Sequence, residues 1–218
     1  ILNVLKEKNQ LKLLKTCPTI LAQGNSKNIS AILDILEENN LKGFVSQCPY
    51  ILARGNSKEI TNILNVLKEK NQLELLNACP TILAQGNSKN ISTILDILEE
   101  KSQLELLNVC PTILARGNSK EIINILNVLE EKGLTDLVSQ CPYILARGNS
   151  KEITTILNVL EERSLTYLVS KCPSILAQGN SKEIKSVLLK IEKINGNIKK
   201  LSPNLLINYS KLCNIIDL

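Results

Sequence analysis

Apolar residues recur at helical spacing. Ile60, Ile63, Leu64, Val66 and Leu67 make an i, i+3, i+4, i+7 stripe, the mark of an amphipathic helix. Just before it, Asn56-Ser57-Lys58-Glu59 reads as a capping box, with Asn56 as the cap and Glu59 bonding back. The box recurs with Glu121, Glu152 and Glu183, while Asn28 and Asn90 take the place of Glu in two copies. The helix is predicted to stop near Lys70-Asn71, or at Lys132-Gly133 in a later copy. A shorter apolar segment, Leu73 to Cys79, then runs into Pro80. Proline breaks a helix interior and is comfortable in the first turn of a new one. The pattern therefore predicts a break at Cys-Pro and a brief turn through Thr81-Ile82-Leu83-Ala84. Strand signals are missing. The fold class expected is all-α, a right-handed α-solenoid or superhelix with two helices per unit and a third short turn.

The unit is set by Gly-Asn-Ser-Lys, which occurs six times, at Gly24, Gly55, Gly86, Gly117, Gly148 and Gly179, each 31 residues after the last. Units that cannot bury their apolar faces alone must stack. Six tandem repeats are expected over 1–186, and a divergent capping repeat over 187–218, where Pro203 stands for the repeat proline and Lys211 for the loop lysine. The chain opens at Ile1 inside a repeat and holds no methionine, so it reads as part of a longer array, truncated at its N-terminus.

Composition adds limits. Hydrophobic residues make up 44% and aromatics 2%, so the core must be aliphatic. Six of the seven cysteines, Cys17, Cys48, Cys79, Cys110, Cys141 and Cys172, share one slot of the repeat. Equivalent residues of stacked units lie about 8–10 Å apart, too far for a disulfide, so small buried thiols are expected. Reduced thiols suit a cytosolic or nuclear compartment. Histidine is absent and no Cys-x-x-Cys occurs, which argues against zinc, and no cofactor is expected. No catalytic constellation stands out, so an enzyme is not expected. No apolar run approaches a membrane span. The net charge is +5, but residues 185–218 hold six lysines against Glu192 and Asp217, leaving +1 for the body. The body's charges are sorted instead: bases recur in the loop, acids at Glu37-Glu38, Glu99-Glu100, Glu130-Glu131 and Glu161-Glu162.

The loop itself carries the candidate chemistry. A helix start offers backbone N–H groups and the positive end of the dipole, a glycine admits close approach, and a lysine adds charge. Together they suggest phosphate sites at Gly24 and Lys27, Gly55 and Lys58, Gly86 and Lys89, Gly117 and Lys120, Gly148 and Lys151, and Gly179 and Lys182. The residue before each glycine toggles: Gln23, Arg54, Gln85, Arg116, Arg147, Gln178. Arg pairs bidentately with guanine and Gln with adenine, so a two-letter purine reader is expected. Four residues earlier Thr19, Tyr50, Thr81, Thr112, Tyr143 and Ser174 are placed to support it.

With Gly-x-x-Lys opening the longer helix after a variable residue, the unit resembles the repeats of transcription activator-like effectors. That resemblance implies that Lys27, Lys58, Lys89, Lys120, Lys151 and Lys182 meet the DNA backbone, that the toggling residues read bases, and that the protein is an effector acting in a host nucleus or organelle. The run Cys-Pro-Tyr-Ile-Leu before a leucine-rich helix also resembles the repeats of mitochondrial transcription termination factors, which likewise form a helical superhelix that binds nucleic acid.

Double-stranded DNA is accordingly the expected partner, read one base pair per repeat by a monomer. Two other functions remain open: a scaffold binding protein in a concave face, and a modular single-stranded RNA binder. The scarcity of aromatics counts against the latter.

Overall fold

The computed structural model describes residues 1–193. Among these residues every regular element is a helix, and none is long and apolar enough to cross a membrane. Of the expected divergent repeat, only the helix ending at Lys193 is described; Pro203 and Lys211 lie outside the described residues.

Each repeat supplies one long helix and two short ones, such as Ser57–Glu69, Leu75–Ala78 and Thr81–Gln85. The long helix starts where the cap was expected. Asn56 lies in extended backbone and its side chain accepts the Glu59 N–H at 3.1 Å. The apolar stripe then buries Ile60, Ile63, Leu64 and Leu67. At the far end Asn71 turns left-handed, φ 54°, and the Gln72 N–H reaches the Leu67 carbonyl at 2.7 Å, a Schellman ending. Asn9, Asn40, Ser102, Ser164 and Gly133 share that left-handed backbone.

Serine is a poor tenant there. Left-handed backbone costs an ordinary side chain roughly 1–2 kcal/mol, partly offset by glycine's freedom in the unfolded chain. Ser102→Gly should therefore stabilise the protein by about 0.5–1 kcal/mol, read as a higher urea midpoint with an unchanged slope. A lower midpoint would contradict the strain at Ser102.

The segment after the proline differs from the expectation. It is a five-residue helix rather than a brief turn. Cys79, at φ −143° and ψ 73°, makes the break, and Pro80 already has helical angles. Its missing N–H falls where a helix has no use for one. The turn then closes through Leu83 N–H to the Pro80 carbonyl and Gly86 N–H to the Ile82 carbonyl. The toggling residue is thereby the last residue of a helix, not part of a loop.

The chain divides into two compact units, Ile1–Ser119 and Lys120–Leu218. In the first, the long helices Ser26–Glu38, Ser57–Glu69 and Ser88–Glu100 pack in succession, and the short helices Thr19–Gln23, Tyr50–Arg54, Thr81–Gln85 and Thr112–Arg116 form a second layer beside them. In the second, Ser150–Glu161 packs on Ser181–Lys193 and Tyr143–Arg147 on Ser174–Gln178. Isoleucine and leucine fill the space between layers, the helical-repeat stacking that the sequence pattern implied. Cys17, Cys48, Cys79 and Cys110 are buried, Cys141 and Cys172 partly so, and none of the six is in a disulfide. Burial pushes the Cys48 thiol above its usual range.

Candidate nucleic-acid interface

The start of each long helix is more fully engaged than its sequence suggests. Asn25, Asn56, Asn87, Asn149 and Asn180 each accept the N–H three residues on, one half of the capping box. The other half goes elsewhere. The Glu59 carboxylate accepts the Ser88 N–H of the following long helix. Glu121 takes the Ser150 N–H at 2.8 Å, and Glu152 takes that of Ser181. Where asparagine holds this slot it grips twice. Asn28 donates to the Gly55 carbonyl at 2.8 Å and accepts the Ser57 N–H at 2.9 Å; Asn90 does the same with Gly117 and Ser119 at 2.7 and 2.9 Å. The slot is a clamp between consecutive repeats. Its signal was legible, since Asn and Glu share an acceptor oxygen, but the partner is 29 residues away.

The clamp leaves a helix start with two of its first N–H groups already bonded. An anion arriving there meets mainly the lysine. Lys27, Lys58, Lys89, Lys120, Lys151 and Lys182 each occupy the second position of a long helix and are exposed.

The Ser150 backbone N–H, with the Ser150 hydroxyl, holds the Glu121 carboxyl below its usual 4.5. A depressed carboxyl contributes stability that is complete above its unfolded pKa and lost as pH falls through the lower folded one. Melting temperature should thus fall on acidification below about pH 4.5, and by less in Glu121→Gln, whose amide oxygen keeps an acceptor without titrating. Parallel pH profiles for the two proteins would remove this clamp from the acid response.

The glycines also serve the fold. Gly24, Gly55, Gly86, Gly148 and Gly179 have extended backbone with negative φ. A Cβ on Gly86 would lie 2.5 Å from the Ile82 carbonyl oxygen and 2.8 Å from Ile91 Cδ1. The missing side chain makes room for the protein's own helices, a duty that spacing alone did not reveal.

The toggling residues Gln23, Arg54, Gln85, Arg116, Arg147 and Gln178 end successive short helices and are all exposed. Arg54 donates through Nε to Gln23 Oε1 at 3.4 Å, so in this pair the side chains of neighbouring repeats meet. The supporting positions split into two kinds. The hydroxyls of Thr19, Thr81, Thr112 and Ser174 lie 3.0–3.2 Å from the cysteine sulfur two residues earlier. Tyr50 and Tyr143 instead lie under an arginine: Arg54 and Arg147 stand 5.6 Å from the respective ring centroids, within cation–π range.

At the opposite end of the long helices several acids are paired. Lys70 pairs with Asp96 at 2.7 Å and Glu99 at 2.9 Å, Lys132 with Glu161 at 2.6 Å, and Arg163 with Glu192 at 3.0 Å. Lys8 bonds Asp34 and lies 3.7 Å from Glu37. In one place the roles are exchanged, and Lys68 donates to Asn39 at 2.6 Å. Asp96, then Glu99, raise the Lys70 pKa above its ordinary value. These bridges are exposed, so solvent screening leaves each with little net effect on stability. Their larger effect is electrostatic sorting, with ion pairs between repeats at one end and the exposed loop lysines at the other.

The sequence matches no curated protein. The mTERF family model matches residues 35–201, well over half of the chain. That match supports the termination-factor resemblance and gives no support to the effector resemblance. With three helices per repeat, a Cys-Pro break in each and this match along most of its length, the chain belongs to the mTERF family.

Proposed function

We propose that this chain is a non-enzymatic, modular, sequence-specific double-stranded DNA-binding protein, acting as a monomer and reading one base pair per repeat. Membership of the mTERF family favours a nucleic-acid partner. The observation that carries the finer reading is the contact between Arg54 Nε and Gln23 Oε1 at 3.4 Å. Helices of adjacent repeats sit about 8–10 Å apart, while bases along one strand advance about 3.4 Å. Long side chains that converge as Arg54 and Gln23 do would close that mismatch. The contact is long and exposed, so a base edge can replace it. Arginine then reads guanine and glutamine adenine, and the lysine of the following helix holds the backbone. In the order of the repeats the preferred core is 5′-AGAGGA-3′.

Selection from a randomised duplex library, with RNA and single-stranded competitors present, tests this. Wild type should recover a purine-rich core, and Arg54→Gln should change one position from G to A. Identical motifs from both proteins, or preference for a competitor, would overturn the proposal.

A further inference from the structure

The three arginines of the toggling row do not stand in equivalent surroundings. Arg54 lies over Tyr50 at 5.6 Å and is also tied through Nε to Gln23. Arg147 lies over Tyr143 at the same 5.6 Å. Arg116 has Thr112 in the corresponding place, and the Thr112 hydroxyl is bonded to Cys110 at 3.1 Å. Both tyrosine rings are about half exposed, 48% for Tyr50 and 46% for Tyr143, so each offers a face at the surface where the guanidinium rests.

We infer that Tyr50 and Tyr143 are positioning residues, holding Arg54 and Arg147 ready to engage guanine, and that these two repeats discriminate bases more strongly than the Arg116 repeat. The inference rests on the base reading proposed above. An exposed arginine loses much rotamer freedom when it docks on two acceptors at fixed positions. A ring beneath its plane confines it beforehand, and stacking leaves the guanidinium edge free for hydrogen bonding. Once a base edge replaces the Gln23 contact, Arg54 offers its guanidinium edge to guanine O6 and N7. The threonine repeats lack this device, because the hydroxyl is turned inward to sulfur. A tyrosine at position 112 should be tolerated, since Tyr50 and Tyr143 fill the equivalent slot beside Cys48 and Cys141.

The test compares wild type, Tyr50→Thr, Tyr50→Phe and Thr112→Tyr at fixed salt. Affinity is measured for duplexes carrying G or A at the base assigned to each arginine. Relaxation of the arginine Nε–H groups is measured in the free protein. The G-over-A ratio should be about two- to fivefold larger at the Arg54 position than at the Arg116 position. Tyr50→Thr should lower the Arg54 ratio to the Arg116 level, Tyr50→Phe should retain it, and Thr112→Tyr should raise the Arg116 ratio by a similar factor. Arg54 and Arg147 Nε–H should be more ordered than Arg116 without DNA. Equal ratios at Arg54 and Arg116, unmoved by Tyr50→Thr, would overturn the inference and leave base reading standing. Absence of discrimination at every position would sink the base reading, and this inference with it.

Discussion

Gly86→Val should destabilise the protein by about 3 kcal/mol, at the upper end of what overpacking costs, and it should do so with no nucleic acid present. The side of Gly86 where a Cβ would stand is closed by the Ile82 carbonyl oxygen at 2.5 Å and by Ile91 Cδ1 at 2.8 Å. The isoleucine end can move; the carbonyl cannot, because it accepts the Gly86 N–H at 2.8 Å and so closes the short helix. Trimming Ile91 to valine should therefore rescue only part of the loss. Gly43 is the control. A Cβ there meets nothing within 4 Å, so Gly43→Val should shift stability by less than about 0.5 kcal/mol. Urea unfolding of the two variants decides the matter. If they behave alike, the glycine does not owe its place to packing.

Affinity for duplex DNA should fall steeply with salt. Six lysines each meeting one phosphate give a slope of about −5 in log K against log salt. Raising salt from about 50 to 200 mM would then weaken binding about a thousandfold. Because the clamp and the asparagine cap already hold two N–H groups at a helix start, the proposed phosphate contact falls mainly to the lysine side chain. Lys27→Ala, Lys58→Ala and Lys89→Ala combined should reduce the slope by about 3 and weaken binding on every sequence alike. Affinity that does not change with salt would remove the lysines from the interface.

Much of the architecture was legible because it is local. The Ile60–Leu67 stripe, the Asn56 cap and the Asn71 and Gly133 endings all concern residues within one or two turns of each other. The helix after Pro80 was harder to read. Five residues are too few to display a period, and only the preset angles of proline hinted at it. Glu59 shows the general limit. It lies three residues from Asn56 and 29 from Ser88, and chemistry allows either bond; stacking brings Ser88 within reach. The loop glycine suggested anion binding for a similar reason, since the Ile82 carbonyl that it must clear is visible only once the short helix exists. The i, i+4 relation of Tyr50 to Arg54 was readable, whereas the turning of Thr112 toward Cys110 was not.

The polar contacts at the far ends of the long helices impose a grammar on the array. Each joins a position in one repeat to the position 29 residues on: Lys8 to Glu37, Asn39 to Lys68, Lys70 to Glu99, Lys132 to Glu161, Arg163 to Glu192. Half of every junction is therefore written in one repeat and half in its neighbour. An in-frame deletion of residues 9–39, the usual product of unequal crossing-over, would bring Lys8 opposite Lys68 and replace Asp34 by Asn65. Two cations would then face each other where an ion pair had been. Repeats that look interchangeable in sequence are thus ordered by their handshakes, and shuffling them, by evolution or by an engineer, works cleanly only when the junction travels with the unit.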